Sequence, residues 1–319
     1  MSSTLTSNVY DPEILTDYVT AKFYTKAPLI ASGAVSKGDV DGEISQGGTT
    51  VKMPSWNIAM SSMQHKAEEA EITMSNLQDK QENSPVIHRY AGIDINDLAT
   101  LQSKDDPNGE AGKQIANIVG IDVNYCLRNV MEGAMKPLIA ATENYYDYSA
   151  TGTINATAVS TAAQTLGDFR PNLKGGILYC RSNQENDLIV LGAVTYAQGA
   201  PTQFGNEALE MGTVPTFMGY IVVTDDVIAK DGSDFRSYII GREAMFISWQ
   251  RKVLVEKDRD IKTKKDEITW DYHTVCHLKG VSWKGTATNP TIAQLATQTN
   301  WERKAESAKL VNCVCLQTT

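Results

Sequence analysis

The chain has 319 residues, 42% of them hydrophobic and 21% charged, an ordinary globular composition that excludes a disordered or collagen-like polymer. Twenty-nine basic residues against 38 acidic ones leave a net charge of −9, which argues against a protein whose main task is gripping phosphates. No run approaches the ~18 consecutive apolar residues of a membrane helix, and Met1-Ser2-Ser3-Thr4-Leu5 has neither the basic nor the apolar region of a signal peptide.

At ~150 residues per domain the length predicts roughly two domains. Residues 1–34 read as an arm, with a helix expected after Asp11-Pro12 that carries Ile14, Leu15, Tyr18, Val19 and Phe23. The stretch from Ser32-Gly33 to Gly47-Gly48 has too few large apolar side chains to fold on itself. Thr49 to Met53 predicts an outgoing strand ended by Pro54, and Glu71-Ile72-Thr73-Met74 a returning one ended near Pro85. Between them lies polar Gln64-His65-Lys66-Ala67-Glu68-Glu69. An isolated two-stranded excursion is marginal in water, so this one is expected to lie on something else, such as a neighbouring subunit. Met53, Met60, Met63 and Met74, four of the ten methionines, fall within it. Flexible thioethers suit a surface that meets slightly different partners, although a small local core would use them as well.

Tyr90 to Ile95 predicts a short strand, followed by a helical turn through Leu98 and Leu101. Asp105-Asp106-Pro107 is a sharp helix start. From there Ile115, Ile118, Val119, Val123, Cys126, Leu127, Val130, Met131 and Leu138 mark one face of a long helix over about 107–138, bounded near Pro137. Alternating elements follow: a small-residue helix over about 156–166, a strand Gly176 to Cys180, and a helix from the capping box Ser182-Asn183-Gln184-Glu185 through Ala197. Further strands are expected at Gly219 to Val223 and at 236–240. Two long strands within 244–283 share a charged tip, and a last strand runs from Lys309 to Leu316.

The search for chemistry finds little. Cysteines at 126, 180, 276, 313 and 315 are odd in number and scattered, so they read as reduced thiols, with Cys313-Val314-Cys315 lacking a second pair for a metal site. His273 and His277 share a strand face about 13 Å apart, too far for one ion. No nucleophile elbow, Walker loop or dinucleotide fingerprint is present. Lys104 to Glu110 has the flavour of a calcium loop, but Pro107 spoils its register and a helix cap explains it better. Glu68-Glu69 and Asp225-Asp226 read as solvated surface, and Lys262, Lys264 and Lys265 as a salt-bridged tip. No catalytic, cofactor-binding or metal-ligating residue is expected.

The order of parts (arm, extended loop, very long helix, mixed domain, two return strands) resembles the major capsid protein of tailed bacteriophages, the Hong Kong 97 fold. Ile93-Asp94-Ile95-Asn96-Asp97-Leu98-Ala99 before Asp105-Asp106-Pro107 looks like the entry to the spine helix in one phage coat family. Gly219-Tyr220-Ile221-Val222-Val223-Thr224-Asp225-Asp226 looks like that family's G-x-x-V-x-V-D-D strand. His277-Leu278-Lys279-Gly280-Val281-Ser282-Trp283-Lys284-Gly285, Asn289-Pro290-Thr291-Ile292-Ala293-Gln294-Leu295-Ala296 and Asn300-Trp301-Glu302-Arg303 are similar to its C-terminal motifs. Leu278, which Lys279 follows, and Ile292 depart from the usual Pro and Asn without upsetting the register. The motif resemblance covers roughly 90–310, and the first 85 residues match by arrangement alone.

The resemblance implies an α+β Hong Kong 97 capsid fold. Its parts would be an N-terminal arm (1–34), an E-loop (35–88), a peripheral domain (89–145 and 250–285, with the spine helix about 107–138), an axial domain (146–249) and a C-terminal segment (286–319). It implies a structural protein of the virion that self-assembles as hexamers and pentamers into an icosahedral shell around double-stranded DNA. Assembly would take place in the host cytoplasm, without cofactor, membrane or enzymatic role. Expected partners are further copies of the chain, a portal, and separate scaffold or decoration proteins, since only some 34 residues precede the E-loop. Met53, Trp56, Met60, Met63 and Met74 are the expected inter-subunit contacts. Lys52, Lys66 and Lys80 are the E-loop lysines a covalent crosslink could use, but no motif singles one out, and a non-covalent shell is expected. The alternative within the fold is an encapsulin-like compartment shell.

Overall fold

The computed structural model describes residues 27–37, 48–58, 74, 77–96, 107–192, 194–197 and 214–319. A short helix α1 (Pro28–Ala31) leads to β1 (Val35–Lys37), β2 (Thr50–Ile58) and β3 (Leu77–Asn96). The long helix α2 (Pro107–Ala140) is followed by β4 (Tyr145–Asp147), α3 (Ala156–Gln164), β5 (Ile177–Cys180), α4 (Ser182–Val190) and β6 (Thr195–Ala197). Then come β7 (Val214–Phe217), β8 (Tyr220–Thr224), β9 (Lys230–Asp231), β10 (Asp234–Ile240), β11 (Met245–Asp260) and β12 (Lys265–Leu278). The chain closes with β13 (Val281–Trp283), α5 (Ile292–Leu295), β14 (Trp301–Arg303) and β15 (Cys313–Thr318).

Two sheets flank α2. The first has the order β1-β11-β12-β3-β2 and the second β4-β15-β10-β5-β8-β7-β6, with β9 beside β10. The main core gathers one face of α2 (Ile115, Val119, Val123, Cys126, Leu127) with Trp270, Tyr272 and Cys276 of β12 and Tyr179, Tyr238, Cys313 and Cys315 of the second sheet. The alternate residues Leu178, Cys180, Ile239, Val314 and Leu316 face the other way and form a second core with Ala158, Val159 and Ala162 of α3. Period-2 alternation thus feeds two cores, which explains why these strands read as nearly continuous apolar runs.

Several expected elements differ from the structure. Pro54 does not end β2, which runs through it to Ile58. The strand lies at the sheet edge, where proline's missing N–H breaks no ladder bond. The return strand does not stop at Pro85. It continues through the segment expected as a separate short strand, so β3 spans 20 residues. The helix after residue 182 ends at Val190, and Thr195–Ala197 is a strand. Its start is shifted by one, with the Arg181 N–H donating to Gln184 Oε1 at 3.1 Å. Helix α2, by contrast, ends slightly beyond Pro137 as expected, at Ala140, and reaches about 50 Å at ~1.5 Å per residue. The helix expected after Asp11-Pro12, the turn at Leu98 and Leu101, the cap at Asp105-Asp106 and the polar tip around Gln64–Glu69 lie outside the described residues.

Candidate assembly surface

β3 has two halves with different partners. From Val86 to Asn96 it pairs with β12, in the register Val86↔Val275 to Asn96↔Lys265. From Leu77 to Pro85 it pairs with β2, in the register Pro85↔Thr50 to Leu77↔Ile58. Nine pairs at ~3.4 Å make a ribbon of about 30 Å, in which β2 is hydrogen-bonded to β3 alone among the described strands. Met53 is half-buried near the root, where it and Val51 pack on Val86, Phe246 and Val275. Met74 is 85% exposed. Trp56 lies on β2 between these points; Met60 and Met63 fall outside the described residues.

The root of the ribbon is bolted down by polar contacts. Glu82 accepts from the Gly280 N–H at 3.0 Å and from His277 Nε2 at 2.9 Å. A carboxylate oxygen can only accept here, so Nε2 of the fully buried His277 carries the proton. The Asn83 N–H donates to Ser282 Oγ at 2.9 Å, and Ser84 Oγ to the Cys276 carbonyl at 3.0 Å. Farther along β3, Arg89 makes a two-pronged contact with Asp122 of α2 at 2.7 and 2.9 Å, and the same carboxylate accepts from the Tyr272 hydroxyl at 2.6 Å. This hydrogen bond to Asp122 holds the Arg89 pKa above its ordinary value.

The C-terminal motifs now have physical reasons. Beyond the end of β2, Asn289 takes over the freed edge of β3: its Oδ1 accepts from the His88 N–H at 3.1 Å, and its amide donates back to the His88 carbonyl at 3.4 Å. Thr291 and Gln294 cap α5 reciprocally. Trp301 stacks edge-on to Trp283 with centroids 5.1 Å apart and donates its indole N–H to the Leu295 carbonyl at 2.7 Å. This clamp rests on Gly133 of α2, where a Cβ would lie 1.9 Å from the Leu295 carbonyl oxygen.

A buried ionic hub joins α2 to the second sheet. Arg128, only 4% exposed, donates to Asp225 Oδ2 at 3.0 Å, and Asn124 donates to the same oxygen at 3.3 Å. The Tyr179 hydroxyl also donates to it, and burial pushes that phenol's pKa far up. One turn along, Glu132 accepts from the Ala229 N–H at 2.9 Å, and burial raises its pKa. This corrects the expectation of solvated surface for Asp225, whereas Asp226 is exposed as expected. Asp225 is a core group, and Asp226 accepts from the N–H and hydroxyl of Ser182 at the start of α4. The tip lysines fare as expected in one case, with Lys265 paired to Asp94 at 2.5 Å. All five cysteines are free and buried. No described helix is long and apolar enough to cross a membrane.

The histidines sort differently from their spacing along the chain. His277 is taken up by Glu82, whereas His273 stands directly across from His88 on β3, with ring centroids 4.2 Å apart and Asp271 beside both. That pairing was invisible without the β3–β12 register.

A ribbon that, among the described residues, has no strand partner but its own return, rooted beside a spine helix between two sheets, is the architecture of a phage capsid shell subunit. The solved structures agree. The capsid of Ralstonia phage GP4 superposes with a TM-score of 0.59 at 10% identity, covering 88% of this chain and 90% of that one. A Mycobacterium phage Bobi chain gives 0.54 at 9%, covering 92% and 90%. The capsid of a native GTA particle gives 0.52 at 13%, covering 88% and 90%. At such identities these likenesses establish the Hong Kong 97-type fold. No curated protein matches the sequence. The chain belongs to the Gp13-like family, described as major capsid protein 13-like, whose model matches residues 48–315. It is a structural capsid shell protein, and the encapsulin-like alternative is not favoured.

Proposed function

We propose that this subunit closes an icosahedral shell of hexamers and pentamers around packaged double-stranded DNA, by laying the β2–β3 ribbon across the next copy. The ribbon carries the proposal: beyond its root, β3 has no strand partner but β2 among the described residues, and a two-stranded hairpin gains little stability alone. In this reading 35–88 is the E-loop, and Met53, Trp56, Met60, Met63 and Met74 meet the neighbour. Residues 1–34 form the arm, 89–145 with 250–285 the peripheral domain, 146–249 the axial domain and 286–319 the C-terminal segment. Thioether side chains tolerate the unequal settings that one chain occupies in a shell. The DNA is enclosed without sequence-specific contacts, in keeping with the net charge of −9. A portal and separate scaffold or decoration proteins complete the particle, which assembles in the host cytoplasm, and the subunit has no enzymatic role.

Electron microscopy of the purified protein tests this. Closed shells are expected from the intact chain, and only unassembled subunits after replacement of 54–80 by a short Gly-Ser link. Closed shells from the shortened chain would overturn the role given to the ribbon. We further propose a shell without covalent links. Ladders of covalent oligomers on a denaturing gel of mature particles would show that one of Lys52, Lys66 or Lys80 is used after all.

A further inference from the structure

The face of β3–β12 turned away from α2 carries a group of side chains that the shell architecture does not require. His88 and His273 are directly paired across the two strands, and Asp271 lies two residues before His273 on the same face. Asp271 Oδ2 is 3.7 Å from His88 Nε2 and 3.8 Å from His273 Nε2, and one ligand atom from each residue falls within 4.8 Å of the others. Two donors at ~2.0–2.1 Å from a tetrahedral ion stand roughly 3.4 Å apart, so each imidazole needs only a few tenths of an ångström of closure on Asp271.

The surroundings prepare the imidazole for coordination. Gln250 presents its amide oxygen to His273 Nδ1 at 3.2 Å, which places the proton on Nδ1 and leaves the Nε2 lone pair facing Asp271. Arg251 Nη1 now sits 3.2 Å from Asp271 Oδ2. Its side chain is 46% exposed and can swing into solvent while an incoming cation takes over the carboxylate's charge.

We propose that His88, Asp271 and His273 form a binding site for a divalent transition-metal ion, with Zn2+ the best match to a two-imidazole, one-carboxylate set. Three protein ligands leave a fourth position for water. The ion would staple β3, the strand that carries the ribbon, to β12 on the face opposite the Asp122 contacts of Arg89 and Tyr272.

The test uses the full-length chain stripped with a chelator and then given Zn2+ alone in equilibrium dialysis. One equivalent per chain is expected, with affinity lowered at least about tenfold in His88→Gln, in His273→Gln and in the isosteric Asp271→Asn. A parallel reading is thermal unfolding: Zn2+ should raise the midpoint of the unsubstituted chain and leave that of His273→Gln unmoved. Absence of stoichiometric binding would overturn the site, and so would binding that all three substitutions leave unchanged.

Discussion

Asp225 shows how far one residue's setting can depart from its local sequence. Beside Asp226 in a polar turn it has the look of solvated surface, yet it anchors Arg128 from α2 with two further donors, Asn124 and Tyr179. Removing one partner of a buried pair strands the other, so Asp225→Ala should lose about 3–5 kcal/mol of stability, read from urea unfolding of the purified chain. A loss below about 1 kcal/mol would mean that the hub is not a determinant of the fold. Glu132 makes a prediction in pH. Burial raises its folded pKa above the ordinary 4.5, so the chain binds its proton more tightly folded than unfolded. That contribution is complete below pH 4.5 and is lost as pH rises through the raised folded value. Glu132→Gln, which keeps the acceptor for the Ala229 N–H, should therefore gain on the unsubstituted chain between pH 4 and pH 8, as read from unfolding midpoints at ~0.15 M salt. An advantage that shrinks over that range would contradict the assignment.

Among the elements, α2 is the most legible and still holds a surprise. Its apolar periodicity marks one face, and Ile115 and Val119 are buried on it as expected, but Ile118, expected on the same face, is exposed, as is Ile121. From Cys126 to Met135 every residue is buried, including Arg128, Asn129 and Glu132, because sheet, clamp and second sheet enclose the rod from different sides. Gly133 marks the closest approach. Gly133→Ala would place a methyl against the Leu295 carbonyl and the Trp301 indole. Overpacking of this kind costs about 1–3 kcal/mol, and the expected result is early protease cutting within 286–303 while the remaining core resists. A variant as resistant as the parent would show that the clamp can lift off the helix freely.

On the scale of the whole molecule, the two cores sequester every thiol. Burial pushes the pKa of Cys126, Cys180 and Cys315 up to about 12, and raises those of Cys276 and Cys313 as well. A water-soluble disulfide reagent should therefore modify none of the five within minutes in the folded chain and all five in denaturant. Rapid modification of even one in the folded state would show that a core opens easily.

What the residues determine on their own is whatever rests on near neighbours. The long helix follows from its periodicity, the paired strands at 245–278 from their apolar runs and charged tip, and the expectation that the 50–85 ribbon rests on an outside support from the weakness of an isolated hairpin. The C-terminal motifs too can be read from local spacing, although their reason, Asn289 on the edge of β3 and Trp301 over Gly133, lies elsewhere in the fold. Tertiary structure alone decided the register that sets His88 against His273, the edge position that lets β2 run through Pro54, and the enclosure that turns Asp225 from surface into core. Each of these depends on a partner 90 or more residues away or on a place in the sheet, and the free energy of such contacts comes from burial and pairing that no short window of sequence contains.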